Sequence, residues 1–189
     1  MQTVILAILD GVGLGKKDHG DAVHLANTPN LDALLENHPW CKLRAHGTSV
    51  GLPSDGDMGN SEVGHNAMGA GRVFDQGAKL INQAIDNGSI WKSEAWIKAL
   101  ESKTLHFLGL LSDGNVHSHI KHLFALLDRA KLEGKESVAV HILTDGRDVH
   151  PKSALLYIEQ LEAKLKTLGD GYFIASGGGR MHITMDRYE

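Results

Sequence analysis

The chain has 189 residues, a formal net charge of −4 and a single cysteine, Cys41. That length suffices for one ordinary domain, or for one small domain with part of another. The slightly acidic balance, without a long run of basic residues, argues against nucleic acid and against an anionic membrane surface as partners. Because Cys41 cannot form an internal disulfide, a reducing, cytoplasmic setting is expected.

The first predicted element is a buried strand over residues 3–9. This segment is a continuous apolar run followed by Gly11 and Gly13, which is typical of a parallel strand covered on both faces. The run has no basic segment before it, so it does not resemble a signal peptide, and no segment has the ~18 consecutive apolar residues that a membrane helix needs. Asp10 would lie at the carboxyl end of this strand.

A helix, a short strand and a long loop are predicted next. Thr28 is suited to cap the helix and Pro29 to occupy its first position. The short strand is predicted at residues 42–45. Residues 47–59 are rich in Gly, Ser and Asp, which predicts a loop that leads to Ser61 at the start of another helix. Loops of this length are usually functional.

From residue 76 onward the pattern becomes regular. Helices are predicted at 76–86, 118–133 and 153–168, and strands at 104–111, 137–143 and 172–175. This βαβαβ series predicts a parallel α/β sheet. The change of pattern near residues 74–77 predicts one domain over 1–75 and a second over 76–189. The first domain would supply only about two strands, too few for an independent sheet, so a part that completes it is missing.

Asp10 and Ser61 mark the first candidate site. At the carboxyl end of a strand in an open α/β sheet, Asp10 is positioned for a metal ion or a proton. Ser61 begins a helix, where backbone N–H groups and the helix dipole favour phosphate. A serine hydroxyl is a weak nucleophile at neutral pH and needs an adjacent base or a metal ion. Taken one at a time, the two residues could also be a turn residue and a helix cap.

Two other kinds of site, an esterase elbow and a dinucleotide-binding loop, are rejected, and a zinc site is disfavoured. The sequence around Ser61 has Val63 where the esterase nucleophile elbow requires glycine. The glycines at positions 11, 13 and 15 resemble a dinucleotide-binding loop, but the third is misplaced and residues 16–18 do not open a helix. A zinc site at His117 and His119 has no HExxH motif or cysteine partner to support it.

The second candidate site lies where three predicted strands end. Polar sequences follow these strands at 112–119, 144–148 and 176–180. Parallel strands present their carboxyl ends on one side, so four side chains there could face one pocket: His117, Arg147, Asp148 and Arg180. Arginine suits phosphate or carboxylate, and Asp148 could accept a substrate hydroxyl. Alternatively, the histidine is an ordinary exposed residue and Arg147 forms a local ion pair with Asp148.

Five motifs, in this order, resemble the cofactor-independent phosphoglycerate mutases. They are ILDG at 8–11, GNSEVGHN at 59–66, SDGNVHSH at 112–119, TDGRD at 144–148 and MDR at 185–187. The resemblance extends over the whole chain, and the chain would be an N-terminal portion covering less than half of that family's length.

The resemblance implies an incomplete alkaline-phosphatase-like domain followed by most of an inserted parallel α/β phosphotransferase domain. It also implies two divalent metal ions, with manganese expected, and independence of 2,3-bisphosphoglycerate. Asp10 and Ser61 would bind one of the ions, and Ser61 would be the nucleophile that becomes phosphoserine. The phosphoglycerate would be held by His117, Arg147, Asp148, Arg180 and Arg187.

The implied reaction interconverts 2-phosphoglycerate and 3-phosphoglycerate in two in-line transfers. Ser61 takes the phosphoryl group, glycerate reorients in the closed cleft, and its other hydroxyl takes the group back. The complete enzyme would be a cytoplasmic monomer whose partner is its small-molecule substrate. Because further metal ligands of the family are missing, the isolated chain is expected to be inactive. The alternatives are a phosphoglycerate-binding fragment without turnover and another phosphomutase or phosphatase of the alkaline phosphatase superfamily.

Overall fold

The computed structural model describes residues 3–185, which form two compact units that divide between Arg44 and Ala45. The first unit contains two helices, α1 (Ala22–Leu25) and α2 (Pro29–Asn37). Pro29 occupies the first position of α2, which confirms the predicted start of this helix. No helix among residues 3–185 combines the length and the apolar character that crossing a bilayer requires.

The predicted strands at residues 3–9 and 42–45 are wrong, because neither segment forms a strand in this structure. The apolar run is not buried either: Val4 is 89% exposed and Ile5 is 87% exposed. A strand needs a neighbouring backbone to pair its N–H and C=O groups. Within residues 3–44 the structure describes no strand that could serve as this neighbour. The apolar composition thus predicts a strand for which the described first unit offers no partner.

The second unit opens with a loop that contains a short 3-10 helix (Gly47–Val50). It continues with α3 (Ser61–Ala70) and α4 (Gly77–Asp86). Asn60 caps α3 by accepting a hydrogen bond from the Val63 N–H at 2.9 Å, which confirms that a helix begins at Ser61. The helix predicted near residues 76–86 is also confirmed as α4.

The rest of the second unit alternates strands and helices. Its elements are α5 (Glu94–Leu100), β1 (Leu105–Leu111), α6 (Ile120–Leu132), β2 (Val138–Thr144), α7 (Ala154–Leu168), β3 (Tyr172–Gly179) and α8 (Arg180–Ile183). The strands form one parallel sheet in the order β1-β2-β3, which confirms the predicted βαβαβ series and the α/β class. Strand β3 extends beyond its predicted end at residue 175, and the short helices α1, α5 and α8 were not predicted.

The main hydrophobic core lies between one face of the sheet and the helices α5, α6 and α7. Val140 of β2 is 2% exposed, and both Leu127 of α6 and Leu161 of α7 are 0% exposed. Trp96 of α5 belongs to the same core, and its ring meets the Trp91 ring edge to face at a centroid distance of 5.0 Å. Both tryptophans therefore pack within the protein.

The opposite face of the sheet carries exposed side chains. Leu108 of β1 is 75% exposed and Phe173 of β3 is 45% exposed. On this face the His141 ring lies within hydrogen-bond distance of His106 Nδ1 (2.9 Å) and of Ser176 Oγ (2.7 Å). Parallel sheets are normally covered on both faces. In the described part of the chain, the core helices cover one face.

The loop before α3 packs against the segment that leads into α4. The Gln76 N–H donates a hydrogen bond to the Gly51 carbonyl at 2.8 Å. Gly51 has φ +84°, and a Cβ atom there would lie 1.8 Å from the Phe74 carbonyl oxygen, so only glycine allows this approach. Residues 45–75 thus share a compact unit with residue 76 onward. The division into domains at residues 75 and 76 is not tested by this packing and stays a prediction.

Candidate active site

The carboxyl ends of the three parallel strands lie along one edge of the sheet, where the sequence places the polar motifs. Ser112 follows β1, Asp145 follows β2 and Arg180 follows β3. Ser112 Oγ donates a hydrogen bond of 2.5 Å to Asp145 Oδ2, which joins the ends of β1 and β2. The strand order therefore brings distant segments of sequence to one small region.

Asp145 is a buried carboxylate at the centre of this region, with a side chain that is 1% exposed. Besides Ser112, its hydrogen-bond donors are the backbone N–H groups of Arg147 and Asp148, each at 3.1 Å, and Arg180 Nη1 at 2.9 Å. Burial by itself would raise the pKa of Asp145, but these hydrogen bonds stabilise the carboxylate and lower the pKa from 3.8 to about 2. Asp145 therefore remains ionised at neutral pH and orders the loop after β2.

Arg180 binds two carboxylates through the same nitrogen atom. Its Nη1 lies 2.9 Å from Asp145 Oδ1 and 2.6 Å from Asp148 Oδ2, and its side chain is 6% exposed. Burial would lower the pKa of Arg180, but hydrogen bonds to the two carboxylates raise it. The Nε atom is buried and has no hydrogen-bond partner among the described residues. Asp148 is thus paired with Arg180 and not with Arg147, the ion pair considered from the sequence.

His117 and Arg147 occupy exposed positions beside this ion pair. His117 Nε2 lies 3.9 Å from Asp148 Oδ2, and the histidine side chain is 52% exposed. Arg147 Nη1 lies 3.6 Å from the Met185 Sδ atom. An anion that approached from solvent would therefore meet the exposed Arg147 and His117, whereas Arg180 already neutralises buried carboxylates.

The structure brings together three of the five expected phosphoglycerate ligands: His117, Asp148 and Arg180. Arg147 belongs to the same loop as Asp148, and its guanidinium contacts Met185. Arg187 lies outside the described residues. Asp145 and Ser112 were not among the site residues predicted from the sequence. The signal that could have identified them is their shared position directly after a buried strand.

Ser61 is the exposed first residue of α3. The first turn of a helix has backbone N–H groups without partners inside the helix, and these groups suit a phosphate. His65 Nδ1 lies 2.7 Å from the Ser61 carbonyl oxygen and 3.2 Å from Ser61 Oγ. When Nδ1–H donates to the carbonyl, that nitrogen has no lone pair for the hydroxyl proton. This geometry therefore does not make His65 a general base for Ser61.

Asp10 is an exposed turn residue in the first unit. The Val12 N–H donates to the Leu9 carbonyl at 3.1 Å and closes the turn. Carboxylate and hydroxyl oxygens suit hard divalent cations, so the chemistry of Asp10 and Ser61 fits such an ion. Among residues 3–185, no group of three or more His, Cys, Asp or Glu side chains is arranged to hold a metal ion. Joint binding of an ion by Asp10 and Ser61 stays a prediction.

A side-chain contact that the sequence did not predict joins two loops. One is the loop that precedes Ser61, called the Ser61 loop below, and the other is the loop after β1. Asn115 Nδ2 donates a hydrogen bond of 2.6 Å to Asp57 Oδ1. Beside this contact is an open cleft of about 350 Å³, lined by residues of both loops, including Asn60 and His117. The segment before the candidate nucleophile is thus connected directly to the segment that carries His117.

Comparison with known proteins identifies the family. The model of the family described as BPG-independent PGAM N-terminus matches residues 81–189. A probable 2,3-bisphosphoglycerate-independent phosphoglycerate mutase of Leptospira interrogans is 52% identical over 196 aligned residues, covering 98% of this chain and 36% of the relative. The 2,3-bisphosphoglycerate-independent phosphoglycerate mutase of Zea mays is 50% identical, covering 100% of this chain and 35% of the relative.

A solved structure of Leishmania mexicana phosphoglycerate mutase, obtained at low cobalt concentration, has the same fold over this region. The TM-score is 0.83 and the sequence identity 46%, and the match covers 96% of this chain and 35% of that chain. The chain thus spans about a third of the length of the relatives it matches. It belongs to the BPG-independent phosphoglycerate mutase N-terminus family, as the motifs predicted.

Proposed function

We propose that this chain is part of a 2,3-bisphosphoglycerate-independent phosphoglycerate mutase, an isomerase of glycolysis that interconverts 2-phosphoglycerate and 3-phosphoglycerate. The observation that carries this proposal is the 50% identity, over the whole chain, with a protein of that name. Because the chain spans 35% of that relative, the activity belongs to a longer protein, called the full-length protein below. The chain alone is expected to be inactive.

In the proposed enzyme, residues 1–75 contribute to an alkaline-phosphatase-like metal-binding domain and residues 76–189 to an inserted phosphotransferase domain. Two observations support this architecture. The apolar segment at residues 3–9 has the composition of a buried strand but is exposed. The sheet of the second unit has exposed Leu108 and Phe173 on one face. Both features suit segments that pack against further chain in the complete enzyme.

Ser61 is the proposed nucleophile, and its position at the start of α3 supports this role. The N-terminus of α3 would receive the phosphoryl oxygens through backbone N–H groups. Asp10 and Ser61 would supply two oxygen ligands to a divalent cation, with manganese expected. When bound, that ion would lower the pKa of the serine hydroxyl and stabilise the negative charge that develops during transfer. The phosphoryl group would leave the substrate oxygen for Ser61 Oγ and return to the other hydroxyl of glycerate.

Phosphoglycerate would be held by the residues at the strand ends. Arg147 and His117 are exposed and would contact the phosphate or carboxylate of the substrate, together with Arg187. Asp148 would accept a hydrogen bond from a glycerate hydroxyl. Arg180 would bind the substrate next to Asp148, whose carboxylate it already contacts at 2.6 Å. A cytoplasmic, monomeric enzyme without nucleic-acid or membrane partners remains the expectation from the sequence.

The test is turnover of 3-phosphoglycerate by the full-length protein, without 2,3-bisphosphoglycerate and with or without manganese. We expect activity that depends on the metal ion and is abolished by Ser61→Ala, while the circular dichroism spectrum is unchanged. Ser102→Ala is the matched control, because Ser102 is exposed and its hydroxyl bonds only the nearby Ala99 carbonyl in the described contacts. Activity retained by Ser61→Ala would contradict the phosphoserine mechanism.

A further inference from the structure

We propose that the hydrogen bond between Asp57 and Asn115 is a positioning contact for phosphoryl transfer. It sets the placement of the Ser61 loop against the loop that carries His117. Neither residue touches the substrate in this proposal; each acts by holding the loop next to it. The inference rests on the proposed mutase function. It adds two residues that keep the nucleophile and the substrate-binding loop in a fixed position relative to each other.

Asp57 is held firmly on its own side of the contact. Its Oδ2 accepts hydrogen bonds from the Ser54 N–H at 2.7 Å and from Ser54 Oγ at 2.8 Å. Its backbone carbonyl accepts a hydrogen bond from the Gly47 N–H at 3.0 Å. Burial would raise the pKa of Asp57, but the hydrogen bonds from Asn115 and Ser54 lower it. The carboxylate therefore presents Oδ1 to Asn115 from a fixed position.

Asn115 is equally constrained by its backbone. Its φ is +57°, in the left-handed region that asparagine tolerates better than most residues. The preceding Gly114 packs against Asp148, because a Cβ atom at Gly114 would lie 2.8 Å from Asp148 Cβ. His117 lies farther along the same loop, with its Nε2 3.9 Å from Asp148 Oδ2. A displacement of Asn115 would therefore be transmitted to His117 and to the Gly114 contact with Asp148.

The contact joins the loop that leads to the proposed nucleophile to the loop that carries a proposed substrate ligand, so it bears on how the two are placed relative to each other. Reaction rates in enzymes can fall about 100-fold when a reacting group is misplaced by about 1 Å. The two loops border an open cleft of about 350 Å³, so they are not packed against each other along their whole length. A short bond of 2.6 Å between their side chains therefore restricts how far they can separate.

The first test introduces a second negative charge at the contact and then exchanges the two side chains, both in the full-length protein. Asn115→Asp places a second carboxylate opposite Asp57, and the two groups repel. Asp57→Asn combined with Asn115→Asp restores the bond in the opposite direction, and the new amide oxygen can still accept from Ser54. Aspartate also tolerates the left-handed backbone at position 115. We expect Asn115→Asp to lower kcat by about 10- to 100-fold, and the double variant to return to within about 3-fold of wild type.

The second readout is the ratio of phosphate release to isomerisation. When the loops separate after the first transfer, glycerate can leave, and water then attacks phosphoserine to give serine and inorganic phosphate. We expect Asn115→Asp to release more inorganic phosphate and glycerate per isomerisation, and the double variant to reverse this. A residue that supports only folding would lower both reactions together and leave the ratio unchanged.

Two further variants serve as a backup for Asn115→Asp and as its control. Asn115→Gly removes the amide without backbone strain or new charge, and it carries the test should Asn115→Asp not fold. Asn87→Asp is the control, because Asn87 is exposed and accepts a local hydrogen bond from the Ser89 N–H. Wild-type protein without turnover would contradict the proposed function itself. If the wild type is active, two results would overturn the positioning role. One is an unchanged kcat and an unchanged ratio of phosphate release to isomerisation in the Asn115 variants. The other is that the double variant does not recover the activity lost in Asn115→Asp.

Discussion

Arg180 Nη1 lies 2.9 Å from Asp145 Oδ1, and the two side chains are 6% and 1% exposed, respectively. The pair joins the residue after β3 to the residue after β2. Removing one partner of a buried ion pair leaves an uncompensated charge in a region of low dielectric constant. The pair is therefore expected to determine both the stability of this edge of the sheet and the position of Asp148, which binds the same guanidinium.

Asp145→Asn is expected to destabilise the protein by about 2–3 kcal/mol at neutral pH, because it replaces the carboxylate that accepts hydrogen bonds from Ser112, Arg180 and two backbone N–H groups. Arg180 keeps Asp148 as its counter-ion in this variant. Part of this effect depends on pH. The pKa of Asp145 is lowered from 3.8 to about 2, and at about 1.4 kcal/mol per pKa unit this corresponds to about 2 kcal/mol. Because the pKa in the folded state is the lower one, this stabilisation is present above pH ~4 and is lost as the pH falls toward ~2.

The measurement is urea unfolding of wild type and Asp145→Asn at several pH values. The difference in the free energy of unfolding should shrink as the pH decreases from about 5 toward about 2. Asp170→Asn, which replaces an exposed aspartate at the end of the α7 to β3 connection, serves as the control and should change stability by less than about 0.5 kcal/mol. A difference between wild type and Asp145→Asn that is constant over this pH range would contradict the role given to the carboxylate.

The two arginines near Asp148 should respond differently to the same substitution. Arg180→Met leaves two carboxylates without their cation and is expected to lower stability by about 3 kcal/mol. Arg147→Met removes an exposed guanidinium and should leave the free energy of unfolding almost unchanged. In the full-length protein, however, Arg147→Met should lower kcat/KM for phosphoglycerate by about 10- to 100-fold, the equivalent of one lost charge-assisted contact. Equal stability losses in both variants would contradict this division of roles.

Local patterns were sufficient to predict the parallel sheet and the edge of the sheet where polar side chains converge. Alternating apolar segments predicted β1, β2 and β3, and polar residues after each strand marked the edge where His117 and Asp148 meet. The partner of Asp148 could not be predicted in the same way. Arg180 and Asp148 are 32 positions apart, and only the strand order decides that these two side chains meet.

Two other features depend on information outside the local sequence. The apolar residues 3–9 predicted a strand, but strand formation also requires a neighbour, which the described first unit does not provide. Asn115 contacts Asp57 from a left-handed backbone conformation, and the local sequence pattern does not indicate that conformation. Composition thus predicts which secondary structure a segment favours. Whether the segment finds a strand or a side chain to pair with depends on the rest of the fold.

Leu161→Ala should test how strongly the core of the second unit supports the site. Leu161 of α7 is 0% exposed and belongs to the core beneath the sheet. Truncation of a buried leucine costs about 2–5 kcal/mol, because contacts are lost and a cavity remains. Leu155→Ala on the same helix is the matched control, since Leu155 is 69% exposed. Similar unfolding curves for the two variants would show that α7 does not pack as the structure describes.

Gly114→Ala should disturb the candidate site through a single methyl group. The added Cβ would lie 2.8 Å from Asp148 Cβ and 3.2 Å from the Asp148 carbonyl oxygen, distances that require one of the two loops to move. Overpacking of this kind typically costs about 1–3 kcal/mol. Moving Asp148 would lengthen its contact of 2.6 Å with Arg180, so kcat/KM of the full-length protein should fall together with Tm.

Gly109→Ala separates this steric effect from the general effect of replacing a glycine near β1. A Cβ atom at Gly109 would have no atom within 4 Å, so the substitution should leave Tm unchanged or raise it slightly, because alanine loses less backbone entropy on folding. The measurements are thermal unfolding and steady-state kinetics of Gly114→Ala and Gly109→Ala. If Gly114→Ala keeps wild-type Tm and kcat/KM, the loop after β1 can shift without displacing Asp148. The close approach at Gly114 would then not fix the position of this carboxylate.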